Sequence, residues 1–387
     1  MSTSKIDAWH AAGLIDESTR MRLIAYEAEH TKPLAMWAVF GIGALAIGLG
    51  LISVVAANWD EIPGQVRLAI HLTLIIAVLA AVLLRESKLA EVSPWAIEAL
   101  LFVAAALGLT FFGHLGQVYQ TSAPLWEPLA TWLVLFGPLL LLMGRSWLAA
   151  ALVVGGSVYC VWEFNWATDS LTRRPEGEPP PYLWMSFVTA LPVLFAPLGA
   201  WMRGRGERTA FWRRLEQLGL AYAVGGASIF CALASAGESG SNDLIGDGTS
   251  QIVRTGMGLG AGLLVLLVRP TVSGRMSGAI IAASGAALLF AYAVDGLEVL
   301  AALVFMVLWA AIAAAALYAG WRGVFQMAVA AIALRLIILS FELASDLLLS
   351  GFGLIVSGVL ILGVAWIAVR VSRQYAPPFE GTEKTEQ

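Results

Sequence analysis

Apolar residues run along this chain in long, nearly continuous blocks, without the two-residue alternation of a half-buried strand or the one-sided stripe of a surface helix. A helix needs about 20 apolar residues to cross the ~30 Å hydrocarbon core of a bilayer. Twelve blocks approach that length: 34–57, 67–84, 95–113, 128–144, 146–163, 182–202, 215–236, 252–268, 276–294, 298–319, 323–342 and 348–369. They predict an all-α, polytopic integral membrane bundle of about twelve transmembrane helices.

Interruptions in the blocks carry information of their own. `GRS` at 144–146 leaves room only for a tight helical hairpin between the fourth and fifth spans, and `RPTVSGR` is almost as brief between the eighth and ninth. The sixth span contains `LPVLFAPLG`, where Pro192 and Pro197 each remove a backbone donor and predict a kinked or broken helix. Pro138 is expected to act more mildly in the fourth. The eighth carries `TGMGLGAG`, whose pairs Gly256/Gly260 and Gly258/Gly262 predict close helix packing. It is not a phosphate loop, because no Lys-Ser/Thr follows it and no strand precedes it.

Ahead of the first block lies a polar element, residues 1–32, that reads as a cytoplasmic amphipathic helical hairpin. Ser4 and Asp7 resemble a capping box, Gly13 is expected to end a short helix and Asp16 to cap a second. Ile6, Trp9, Leu14, Ile15, Met21, Ile24 and Tyr26 supply its apolar surface. The acidic residues among the first 30 and the lack of a continuous apolar core there predict no cleavable leader. Residues 33–372 form the transmembrane bundle, which the count allows to be divided into 6+6 halves about an Arg-rich segment at 203–214. No internal repeat is evident. The loop 164–181 is Pro- and charge-rich and expected to be irregular, and residues 373–387 read as a disordered tail.

Composition agrees with the pattern: 59% of residues are hydrophobic and 13% charged, against about 25% charged in soluble domains. The placement of charge tests the span count. With the N-terminus in the cytoplasm, eighteen of the 23 basic residues fall in cytoplasmic segments; only Arg67, Arg173, Arg174 and Arg254 fall outside, and Arg335 lies within a helix. A miscounted helix would scramble this alternation, so both termini are expected inside. No basic stripe interleaved with aromatics suggests nucleic acid. Cys160 and Cys231 sit in apolar runs and read as core residues. The four histidines are scattered, with no zinc-binding or Cys-x-x-Cys spacing, so no metal and no cofactor is expected.

Candidate chemistry gathers at the outer ends of the spans: Asn58, Trp59, Asp60 and Glu61 after the first, His114, Gln117, Tyr119 and Gln120 after the third, Glu163 and Asn165 after the fifth, Asp295 and Glu298 between the ninth and tenth, and Glu342 and Asp346 at the eleventh. Helix caps and solvated loop ends explain such residues as readily as a site does. Arg335 is different. An arginine near the middle of a spanning helix costs about 2.5–3.5 kcal/mol on insertion scales, so it is expected to face a polar partner inside the bundle. Glu342 stands two turns further along the same face, ~10 Å away by helical rise. Glu98, His71, Asp60 and Glu61 are the cross-helix partners considered. A structural ion pair and a site for an anionic group both fit.

The segments `GLGLISVVAANWDEIP`, `LGLTFFGHLGQVYQTSAP` and the N-terminal `W…GLID` resemble the bacterial membrane-protein family known as domain of unknown function 2157, and the last two spans look like the C-terminal hairpin of its longer members. The resemblance covers roughly residues 5–145 and 320–372. It implies a multi-pass protein of the bacterial inner (plasma) membrane and no established activity. The leading expectation is a transporter or a protein handling lipid or another anionic substrate through an outward-facing polar cavity. Arg335 would bind the anionic group, with Glu342, Asp60, Asn58, Gln117, Tyr119 and His114 along the route; the partners would be membrane lipids and an anionic small molecule or head group. The alternatives are a non-catalytic scaffold or assembly factor whose N-terminal hairpin docks a protein partner, and an intramembrane enzyme acting on a lipid-linked substrate.

Overall fold

A computed structural model describes residues 3–30, 46, 62–92, 96–171, 182–205, 208–235, 248–343 and 351–376. In chain order the helices are α1 (Thr3–Ala11), α2 (Glu17–His30), α3 (Gly64–Val92), α4 (Ala96–Tyr119), α5 (Trp126–Met143), α6 (Trp147–Leu171), α7 (Tyr182–Ala190), α8 (Phe195–Arg203), α9 (Thr209–Ser235), α10 (Gly248–Val268), α11 (Val272–Ala293), α12 (Glu298–Tyr318), α13 (Arg322–Leu343) and α14 (Gly351–Tyr375). Among the described residues, ten spans, α3 to α13 with α7 and α8 counted as one, are long and apolar enough to cross a membrane. They occupy the second to eleventh predicted blocks, and α14 occupies the twelfth. The protein is therefore a polytopic membrane protein. The first block lies outside the described residues, as do Asn58, Asp60 and Glu61.

Packing divides the chain into Met1–Ala69 and Ile70–Gln387. Within the first unit, Gly13 adopts φ +70, and the amides of Gly13 and Leu14 return to the carbonyls of His10 and Trp9, which ends α1 as expected. Asp16 caps α2: its carboxylate accepts from Ser18 Oγ at 2.6 Å and from the Thr19 amide at 3.2 Å, and these bonds lower its pKa to about 2. Ser4, by contrast, lies inside α1. Asp7 is taken by Arg20 at 2.9 Å, which joins the two helices, so the Ser4/Asp7 capping box does not form. Ile6 is buried, whereas Trp9, Leu14, Met21 and Tyr26 are exposed.

In the second unit α9 acts as the mast. Its first turns (Phe211, Trp212, Leu215) pack with Leu101, Trp132, Leu140 and Val153 of α4, α5 and α6. Its later turns (Val224, Phe230, Ala234) pack with Ile280, Trp309 and Ala328 of α11, α12 and α13. Small residues set the closest approaches. A Cβ added at Gly262 would stand 2.6 Å from Gly278 O, and one at Gly258 2.8 Å from Gly285 Cα, so this pair joins α10 to α11. Gly256 and Gly260 meet nothing within 4 Å; of the two predicted small-residue pairs, one packs and the other does not.

The Pro-containing span is broken as expected: α7 gives way to a 3₁₀ turn at Leu191–Leu194 before α8 resumes. It is also the most deeply buried of the ten spans, at 61%. Gly199 and Gly219 allow α8 to lie against α9 with backbone touching backbone. An irregular backbone at membrane depth is tolerated only where protein or a wet cavity covers it. Burial in the bundle meets that requirement here.

Candidate functional site

The C-terminal end of α4 builds one wall of an open cavity. Gln120 holds φ 50, an uncommon value for a non-glycine residue, and the Thr121 amide returns to Gly116 O at 3.1 Å. The chain thus turns sharply out of α4 and runs over its own last turn before α5 begins. Gly116, Gln117, Thr121 and Ser122 then form one wall of a cavity of about 850 Å3, within the usual range for small-molecule sites. Leu109, Phe112, Leu125 and Leu129 make it predominantly apolar. Gln117, Glu127, Thr131 and Tyr159 are its larger polar groups, and no basic side chain among the described residues lines it.

Of the predicted site residues, the described ones, Gln117, Tyr119, His114 and Arg335, have different surroundings. Gln117 lines the cavity, while Tyr119, at the end of α4, is exposed beside it. His114 is buried on another face, where its Nδ1 stands 3.3 Å from Nδ1 of His71 on α3. His71 Nε2 lies 3.0 Å from Leu107 O. A carbonyl only accepts, so His71 Nε2 carries the hydrogen, and a neutral His71 then accepts at Nδ1 from the Nδ1–H of His114. Arg335 is 4% exposed on α13. Its Nη2 donates to Ser235 Oγ at the end of α9, and that hydroxyl donates to Glu298 O at the start of α12 at 2.9 Å. Arg335 thereby ties three helices together. Glu342 lies in the last turn of α13; its side chain, like Asn58 and Asp60, lies outside the described residues.

Glu98, one of the partners considered for Arg335, is engaged elsewhere. Its Oε1 accepts from the amides of Arg145 and Ser146, so α4 caps the N-terminus of α6 across the tight α5–α6 turn. On the other side of that turn, Arg208 donates to Leu141 O at 2.7 Å and Gly144 O at 2.9 Å, which covers the last carbonyls of α5. Both contacts complement the helix dipoles. Burial, and then the charge of Arg145, hold the Arg208 guanidinium below its ordinary pKa, with Glu98 opposing.

Two constellations escape a reading of the sequence. Glu216, near the start of α9 and 3% exposed, accepts from Arg203 at 2.6 Å and Arg269 at 2.9 Å. Nothing in spacing reveals it, because the three residues come from three helix ends. The second surrounds the broken span. In a 3₁₀ turn the carbonyl of Thr189 would be met by the amide of residue 192, which Pro192 lacks. Tyr222 OH on α9 donates to that carbonyl instead, at 2.5 Å, and accepts from Trp162 Nε1 of α6 at 3.0 Å. Arg254 Nη2 of α10 reaches Thr189 Oγ1 at 3.5 Å. Arg254, counted with the outer segments in the charge alternation, lies in the second turn of α10, within the predicted eighth span. One turn beyond Trp162, Asn165 is 1% exposed, and neither its Oδ1 nor its Nδ2 has a hydrogen-bond partner among the described residues.

Residues 7–149 match the family model described as "Predicted membrane protein (DUF2157)". The match covers the N-terminal hairpin, the predicted first span and α3 to the start of α6, and it includes the walls of the cavity apart from Tyr159. No curated protein and no solved structure matches the chain.

Proposed function

We propose that this protein handles an amphiphile, a lipid or lipid-like molecule, in the cavity at the end of α4. In this reading it spans the bacterial inner membrane twelve times with both termini in the cytoplasm, and the cavity opens on the outer side. One observation carries the proposal: a cavity of about 850 Å3 with apolar walls and a polar rim is built almost wholly within the family-matched region, including Gly116 and Gln117. Apolar walls suit an acyl chain and the rim suits a head group. Among the described residues the one charged group in the lining is Glu127, which favours a neutral or cationic head over an anionic one. Arg335, bonded to Ser235, is assigned to holding α9, α12 and α13 together.

Gly113 lines the cavity, and a Cβ added there meets nothing within 4 Å. Gly113→Phe should therefore fill the space without disturbing the bundle. Mass spectrometry of lipids retained by the protein in nanodiscs is expected to find a defined amphiphile enriched in the wild type and depleted severalfold in Gly113→Phe and Gln117→Leu. Identical bulk lipids in all three would end the proposal.

A further inference from the structure

We infer that the polar cluster around the broken span, outside the family-matched region and distinct from the amphiphile cavity, is an intramembrane binding site for a small protonated oxyanion of the bicarbonate or hydrogen-phosphate class. The cluster sits on four elements. Asn165 and Trp162 come from α6, Thr189 from α7, Tyr222 from α9 and Arg254 from α10. Thr189 and Arg254 each stand about two turns in from the start of their helices, and Asn165 follows Trp162 by one turn near the end of α6. Hydrogen bonds link the set: Trp162 to Tyr222, Tyr222 to Thr189 O, and Arg254 to Thr189 Oγ1.

The unused bonding capacity defines the ligand. Tyr222 OH is saturated by one donation and one acceptance, and the Thr189 hydroxyl hydrogen goes to Met185 O at 2.9 Å. Asn165 is the exception. Its amide offers two donors and an acceptor, is buried to 1% exposure, and engages none of the described residues. A buried amide is ordinarily satisfied, so its environment calls for a guest that both accepts and donates. The guanidinium of Arg254, which reaches Thr189 Oγ1, adds positive charge and a planar fork suited to oxyanions. A halide offers no donor to Asn165 Oδ1, and a fully deprotonated anion likewise leaves that oxygen unmet. A protonated oxyanion meets both sides. Its position beside a discontinuous helix in the centre of the bundle is where membrane proteins commonly seat small solutes.

The test uses the full-length protein in nanodiscs of zwitterionic lipid, titrated at constant ionic strength with bicarbonate, with inorganic phosphate, and with chloride as control. Thermal unfolding and binding heat are recorded. The expected result is saturable stabilisation by at least one oxyanion and none by chloride. The apparent affinity should weaken by about tenfold or more in Arg254→Gln and in Asn165→Leu, as for loss of a charged or buried hydrogen bond, and be partly kept in Arg254→Lys. Bilayers doped with phosphatidate in place of free phosphate separate a lipid head group from a free solute; stabilisation from either source supports an oxyanion site. Asn165→Leu should fold at least as stably as wild type in oxyanion-free buffer, because it removes a buried unmet amide, so loss of binding there is not loss of fold. Absence of any oxyanion-specific shift in the wild type, or an equal shift in all variants, would overturn the inference.

Discussion

At the scale of single residues, the most exacting positions are buried polar groups whose partners come from distant parts of the chain. Glu216 is 3% exposed and held by two arginines that are each about one-fifth exposed. Breaking a buried pair by removing one partner costs about 3–5 kcal/mol, because the remaining charges lose their compensation. Here Arg203 and Arg269 retain water contact, so Glu216→Gln is expected near the lower end of that range, read as a lower thermal midpoint in detergent. Asn165 presents the opposite case. A buried amide without partners costs about 1–3 kcal/mol, a burden that a bound guest would relieve. Gln120 stores backbone strain of roughly 1–3 kcal/mol at the mouth of the cavity.

At the scale of elements, the bundle is assembled by small residues and by repairs to broken backbone. The two glycine pairs of α10 have the same spacing, yet only Gly258 and Gly262 face α11. Gly262→Leu must therefore push backbone from backbone and is expected to destabilise by about 1–3 kcal/mol or more, whereas Gly260→Leu, which meets open space, should be close to neutral. Matched unfolding curves of the two variants check this directly. The sequence announces that such a face exists, because GxxxG spacing is local. It does not announce which pair is used, because that depends on the rotation of α10 against α11. The same division holds for the broken span. Pro192 and Pro197 specify the break by themselves, but the donor that repairs Thr189 O is Tyr222, which no local rule identifies.

At the scale of the molecule, contacts collect one set of helix ends on one side. Arg203, Arg208, Arg214 and Arg269 meet Glu216 and the α5–α6 turn there. The alternation of basic residues assigns these same segments to the cytoplasm. Cys160 and Cys231 are buried, so single cysteines introduced elsewhere report topology cleanly. Arg205→Cys and Ser122→Cys, both at exposed positions, are expected to react with a membrane-impermeant maleimide from opposite sides of the membrane. In intact cells Ser122→Cys should label and Arg205→Cys should not. Labelling of both from one side would refute the alternation.

Hydrophobic run length determined the helical membrane class, the positions of the spans and the break at Pro192, because each depends only on residues close together in the chain. The Gln117 wall of the cavity was also within reach, since one turn after α4 builds it. What only tertiary structure decided was how charges pair. Glu98 caps α6 instead of meeting Arg335; His114 turns to His71; Arg254 reaches Thr189. In a low-dielectric interior a polar group must find whichever partner its helix is rotated toward, and rotation is fixed by packing between helices far apart in sequence.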